Sequence, residues 1–219
     1  MRRLTKLQIP RVLADNGATW LAEYLAEPGS DTKRLRYRHA EIKSTLKQET
    51  AWKCAYCESK VGHNTPGDIE HKVPSSKNPR LHFDWENLTV ACTECNRRKN
   101  NYYEKGTEFL DPYADDVEAC LLHLGPLVYW KPDHERAELT VRILEFNSPK
   151  RRALLDRKTE HLEKTRALLD LATRPGEDLL RALRRDEVTR MCAPDAEYSA
   201  MVRTYVDIVA TKSSRAVAP

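Results

Sequence analysis

Apolar positions along this chain recur first at helical spacing, then at strand spacing, then at helical spacing again. Over residues 11–26, Val12, Leu13, Leu21, Tyr24 and Leu25 predict a helix with one apolar face, broken or restarted near Asn16-Gly17. Pro28-Gly29-Ser30-Asp31 ends it. Residues 32–50 repeat the pattern through Leu35, His39, Ile42 and Leu46, with basic residues on the other side, so a second helix is predicted there. His39 then lies at a core edge or on the surface and carries no catalytic role. At Pro66-Gly67 a turn signal opens a short alternating stretch, Asp68-Ile69-Glu70-His71-Lys72-Val73, which Pro74 stops. After a polar run, residues 87–91 (Asn87-Leu88-Thr89-Val90-Ala91) predict a second short strand. A helix over residues 93–102 follows and sets Asn96 and Lys99 one turn apart on the same side.

Downstream, residues 115–124 suggest a short helix. Residues 127–130 and 139–144 have strand composition and predict a hairpin across the polar 132–135 loop, shielding one flank of the core. Ser148 is a candidate cap and Pro149 a first-turn residue for a helix running to about residue 173, with Leu154, Leu155, Leu162, Leu168 and Leu169 on one side. Arg174-Pro175-Gly176 breaks it, two more helices are expected over 177–191 and 196–211, and residues 210–219 read as a frayed tail. The expected class is α+β, with a small strand-bearing core set in a mainly helical chain. Three segments follow: an N-terminal helical arm over 1–50, a core over 51–110, and a hairpin with C-terminal helices over 111–219.

A chain of 219 residues can bury a full core, and 12 prolines against 7 glycines with 32% charged residues suit a largely helical globular protein. No stretch is apolar enough to span a bilayer, and Met1-Arg2-Arg3-Leu4-Thr5-Lys6 lacks the apolar run of a secretory signal, so a cytoplasmic protein is expected. In that reducing compartment paired cysteines favour metal over disulfide, while Cys120 and Cys192 stand alone as inert thiols. The net charge of +4 announces no nucleic-acid binder by itself. Its distribution says more: residues 1–50 and 148–192 are basic and residues 106–147 acidic, so basic flanks can steer a polyanion toward the centre, or equally form solvated helix surfaces. No glycine-rich phosphate loop is present, so ATP binding is not expected of this chain.

The densest chemistry lies in residues 52–100. Cys54-x-x-Cys57 and Cys92-x-x-Cys95 bracket it, and two such pairs supply the four soft ligands that tetrahedral zinc prefers. The insert between them is longer than a plain zinc ribbon needs and carries Asp68, Glu70, His71 and Asn87, so the zinc reads as a staple beneath an active site. His63 and His82 lie in the same insert. Because four cysteines complete a tetrahedral shell, neither is expected to bind zinc.

Glu70-His71-x-x-Pro74, Asn87 and Cys95-Asn96-x-x-Lys99, in that order, resemble the HNH endonuclease motif. Within that superfamily, Cys54-Ala55-Tyr56-Cys57-Glu58, Ile69-Glu70-His71, Trp85-Glu86-Asn87-Leu88 and Cys92-x-x-Cys95-Asn96 look most like the HNH nuclease subunits of Septu anti-phage defence systems, which also occur beside some retrons. Outside residues 52–100 the likeness is looser, resting on Asp111-Pro112-Tyr113 and the helical tail. The resemblance implies a zinc-stapled ββα-metal core and hydrolysis of DNA. It implies His71 as general base, Glu70 and Asn96 as ligands of one catalytic Mg²⁺ or Mn²⁺, and Asn87 as the brace of the loop that orients the base. Many relatives carry Asp where this chain has Glu70, and His where it has Asn96; carboxylate and amide oxygens both suit such a hard ion.

Beside those implied roles, Asp68 is an auxiliary ligand candidate on the strand face of Glu70, or else a turn residue after Gly67. Lys99, Arg97 and Arg98 are candidates to meet the scissile or adjacent phosphates, or are solvated charges. The resemblance further implies a separate ATPase subunit, PtuA, of the ABC or OLD type. An HNH unit cuts one strand per site, so a double-strand break needs two copies or sequential nicks, and a homodimer within the complex is expected. Two other readings stand beside this one: an HNH nuclease of restriction or mobile-element context, and a non-catalytic zinc-ribbon module that grips nucleic acid or protein.

Overall fold

The computed structural model describes residues 1–62 and 66–215. Helix α1 (Arg11–Ala26) runs unbroken through Asn16-Gly17, contrary to expectation, with the Asn16 Nδ2 donating to the Val12 carbonyl one turn back. The expected helix over 32–50 is divided. A turn, α2 (Asp31–Arg34), leads through a 3₁₀ turn at Leu35–Arg38 to His39, whose backbone is extended and whose Nδ1 accepts from the Glu41 N–H. That cap starts α3 (Ala40–Glu49) afresh. The break turns Tyr37 inward, where a continuous helix would have left its ring on another face, while Ile42 and Leu46 stay fully buried.

Strands β1 (Asp68–His71) and β2 (Leu88–Ala91) pair antiparallel, with Asp68 opposite Ala91 and His71 opposite Leu88. Leu88, Val90 and Ala91 are fully buried and α3 packs against β2, so the N-terminal arm forms the floor of this pair. β2 feeds directly into α4 (Thr93–Lys99), whose cap is Cys92: its Sγ accepts from the Cys95 N–H. Asn100 takes a positive φ (47°, with ψ −134°) and ends α4 sooner than the sequence pattern suggested. The result is a ββα unit.

The next segment departs most from expectation. Only α5 (Val117–Cys120) is helical; β3 (Leu121–Leu124) follows and pairs with β4 (Leu127–Trp130) across Gly125. Leu121 and His123 face in while Leu122 and Leu124 face out, the alternation of a strand. Residues 139–144 are no strand. They belong to α6 (Glu135–Ile143), which buries Ala137, Thr140 and Val141 at helical steps. Ser148 caps the 3₁₀ turn Pro149–Arg151 as expected, followed by α7 (Arg152–Thr173), α8 (Asp178–Cys192) and α9 (Ser199–Arg215). Helix α9 extends past residue 211, and the last four residues of the expected tail lie outside the described residues. The small strand pairs are set among helices, and one hydrophobic cluster runs from Leu13 and Leu46 through Val90 and Val128 to Leu154 and Val202. Among the described residues no helix is long and apolar enough to cross a membrane.

His123 on β3 is buried and neither ring nitrogen has a hydrogen-bond partner. Burial, helped by the positive charges of Met1 and Lys158, holds its pKa down at about 3. The unfolded chain takes up a proton at the ordinary histidine value while the folded chain refuses it, so this contribution to stability is complete above about pH 6.5 and is lost as pH falls toward 3. Urea midpoints of wild type and His123→Phe, compared at pH 7 and pH 5, should separate: the wild type loses more on acidification. Parallel losses would show that His123 is not the acid-sensitive group.

Candidate active site and metal centre

The four Sγ atoms of Cys54, Cys57, Cys92 and Cys95 lie within 4.8 Å of one another, and Cys57 and Cys92 are 3.7 Å apart. A tetrahedral metal with sulfur bonds of about 2.3 Å places its sulfurs roughly 3.8 Å apart, so this donor set fits a metal such as zinc. Hydrogen bonding from Cys54, Cys92 and Cys95 pulls the Cys57 thiol well below its ordinary range, while burial pushes Cys54 and Cys95 up. Arg151, at the start of α7, directs both terminal nitrogens to the Cys95 sulfur at 3.4 Å and donates to the Leu144 carbonyl. This arginine, which the sequence did not single out, brings a fixed positive charge to a cluster that becomes anionic when its thiols ionise. Cys120 and Cys192 lie outside the cluster. His63 lies outside the described residues. His82 is engaged elsewhere: its Nε2 meets the Arg34 carbonyl at 2.7 Å and its Nδ1 the Ser75 hydroxyl at 2.6 Å.

Above the four sulfurs, β1 and α4 line a cleft of about 600 Å³ that gathers Asp68, Glu70, His71, Asn96, Arg97 and Lys99. The His71 Nε2 is 2.9 Å from the His82 carbonyl oxygen. A carbonyl only accepts, so in the neutral ring Nε2 carries the proton and Nδ1 is left as the basic atom. His82 stacks on His71 with centroids 4.8 Å apart, and Tyr37 meets it edge-on at 4.7 Å. Burial holds the His71 pKa at about 4, with His82 and Lys99 adding to the effect, so the ring is neutral at pH 7. Asn87 braces the loop beneath it. Its Oδ1 accepts from the Val73 N–H at 2.8 Å, and its Nδ2 donates to the carbonyls of Val73 and Leu81 at 3.0 Å.

Glu70 is only 4% exposed, and burial pushes its carboxyl up to about 7 against the pull of Lys99. The Lys99 ammonium sits 2.5 Å from Glu70 Oε1 and is the partner of that buried oxygen. Asn96 donates through Nδ2 to Asp68 Oδ2 at 3.4 Å, which leaves its amide oxygen to offer. A buried carboxylate met only by Lys99, beside a second carboxylate and an amide oxygen, is a set of hard donors that fits Mg²⁺ or Mn²⁺.

The expected phosphate-contacting residues of α4 are placed differently. Lys99 is turned inward to Glu70 and to the His71 carbonyl, 2.8 Å away. Arg98 is buried between Glu94 and Glu145, and the exposed Arg97 reaches Glu94 at 3.4 Å. Of the three, Arg97 and Lys99 line the cleft, and only Arg97 is exposed there. The cleft also holds Arg34 and Tyr37, brought there by the break before α3. The sole hint of this in the sequence was the basic side of the second predicted helix.

Residues 54–102 match the family model described as HNH endonuclease. This stretch is similar to the HNH family. The resemblance read from its motifs is thereby borne out, and the HNH segment coincides with the four-sulfur cluster, both strands and α4. The chain is similar to the Septu protein PtuB of Bacillus mycoides (strain KBAB4), with 25% identity covering 49% of this chain and 47% of that protein. It thus spans about half the length of the curated relative it matches.

If the sulfurs hold the HNH segment together, purified protein carries one tightly bound zinc per chain by metal analysis. Cys92→Ser should lose most of that zinc, and Arg151→Met should surrender it to a chelator faster than wild type. Unchanged zinc content in Cys92→Ser would remove the four-sulfur site.

Proposed function

We propose that this chain is a divalent-metal-dependent endonuclease that hydrolyses DNA phosphodiester bonds in the cytoplasm, as the effector subunit of a Septu-type anti-phage complex. The observation that carries the reading is the convergence of Glu70, His71 and Asn96 on one cleft above a four-cysteine cluster. The defence context is supported by the likeness to a protein named for Septu.

In this reading His71 takes the proton of an attacking water at Nδ1, because Nε2 is committed to the His82 carbonyl and burial keeps the ring neutral. The same carbonyl steadies the imidazolium that forms. Asn87 acts at one remove, by fixing Val73 and Leu81 so that the base keeps its aim. Glu70, Asn96 and, as auxiliary, Asp68 hold a Mg²⁺ or Mn²⁺ ion that, when bound, neutralises phosphate charge and stabilises the departing 3′ oxygen. Lys99 is a positioning residue: it ties the Glu70 carboxylate to the His71 backbone and thereby links ligand and base. Arg97 is the α4 side chain suited to a phosphate. The cysteines take zinc as a structural ion. The partner is an ATPase subunit of the PtuA type, and two copies of the nuclease chain act together where both strands are cut.

Co-expressed with the ATPase subunit and supplied with Mg²⁺ or Mn²⁺, the protein should degrade plasmid DNA. His71→Ala should lower the rate by roughly 10²–10⁴-fold while still binding DNA. Equal rates for wild type and variant would overturn the role given to His71.

A further inference from the structure

The cations that α4 places near the cleft are largely spent on carboxylates, so the phosphate charge flanking a cut must be met from elsewhere. A recess of about 310 Å³ beside the candidate ion ligands is lined by Tyr37, Arg38, Lys43, Asp68, Ile69 and Asn96. Two of these six are cations, and both come from the N-terminal arm, outside the segment that matches the HNH family. Arg38 is exposed, and its guanidinium lies over the Tyr37 ring at 5.6 Å with Nε donating to the Tyr37 hydroxyl at 3.2 Å. Tyr37 in turn meets His71 edge-on, so one buried ring sets the position of both the arginine and the base. Lys43 is half-buried on α3, and among the described residues neither it nor Arg38 forms an ion pair with a carboxylate. Two uncommitted cations beside Asp68 and Asn96 suit a backbone of repeated single negative charges.

We propose that Arg38 and Lys43 form the phosphate clamp of this chain, gripping the phosphodiester backbone next to the linkage that faces His71. The inference rests on the nuclease reading for the identity of the strand, and on the recess geometry for the residues. Arg38 carries the aimed contact, held by Tyr37; Lys43 adds a charge one step further along the strand. The clamp thus belongs to the arm and the cutting groups to the HNH segment, and the two meet at the Tyr37–His71 contact.

The test uses full-length protein in a His71→Ala background, so that DNA is bound and not cut, and a fluorescein-labelled 20-base-pair duplex as probe. Adding Arg38→Ala and Lys43→Ala together should weaken binding tenfold or more at low salt. It should also lower the slope of log affinity against log salt by about 1 to 2, as expected for one or two lost phosphate contacts. Arg38→Lys with Lys43→Arg, which keep the charges, should restore the slope, and this pair guards against a loss caused by misfolding. Affinity and slope unchanged in the double alanine variant, or a charge-preserving pair as weak as the alanine pair, would overturn the clamp. Failure of the nuclease reading is distinct: wild type would grip the duplex with the same salt slope yet leave it intact with Mg²⁺, Mn²⁺ and the ATPase subunit.

Discussion

Everything in the active region depends on the meeting of two short cysteine turns. Cys54 and Cys57 lie before β1, while Cys92 and Cys95 cap and open α4 directly after β2. Drawing the four sulfurs together fixes where α4 begins, and for a helix of only seven residues, too short to be stable alone, that fixed origin sets the direction that Asn96, Arg98 and Lys99 then secure. Once that origin is fixed, Asn96 and Lys99 project toward β1, and Glu70 and His71 find their partners. The cluster is anchored on its far side as well. Arg151 reaches it from the base of α7, so the C-terminal helices are tied to the HNH segment through a charge–sulfur contact in addition to apolar packing.

Above the sulfurs, burial does opposite things to two adjacent side chains. It raises the Glu70 carboxyl to about 7 even against the pull of Lys99, and lowers His71 to about 4, so burial favours the neutral form of each. A neutral imidazole is what a general base requires. A carboxylate that is costly to ionise is one that gains most from a nearby cation, whether the Lys99 ammonium or a divalent ion. A divalent ion at Glu70 would therefore meet the same carboxylate that Lys99 already holds.

Much of this was legible in the residues. The cysteine spacing, the two strands, the start of α4 and the cap at Ser148 all rest on local signals of turn, period and ligand type, and these the chain carries within a few residues. The errors arose where local composition and tertiary need diverge. Leu139-Thr140-Val141 has the β-branched make-up of a strand, yet Ala137, Thr140 and Val141 are buried at helical steps because they face β4. Residues 121–124 were absorbed into an expected helix because four residues are too few to display alternation. The partners of Lys99 and Arg98 depend on how α4 sits against β1 and against Glu145, distances of 29 and 47 residues along the chain, and spacing alone does not encode them. Tyr37 and Arg38 reach the site only because His39 interrupts a helix whose apolar pattern runs straight through.

The account's central claim is that the sulfur cluster aligns a hard-ion site and a neutral imidazole on one phosphodiester. Anomalous diffraction from crystals grown with Mn²⁺ and a nucleic-acid duplex tests it most directly. The expected map has a zinc-edge peak among Cys54, Cys57, Cys92 and Cys95, and a separate manganese peak at Glu70 and Asn96 with a backbone phosphate between it and His71. A manganese peak elsewhere, with Glu70 still closed on Lys99 and no phosphate facing His71, would contradict it.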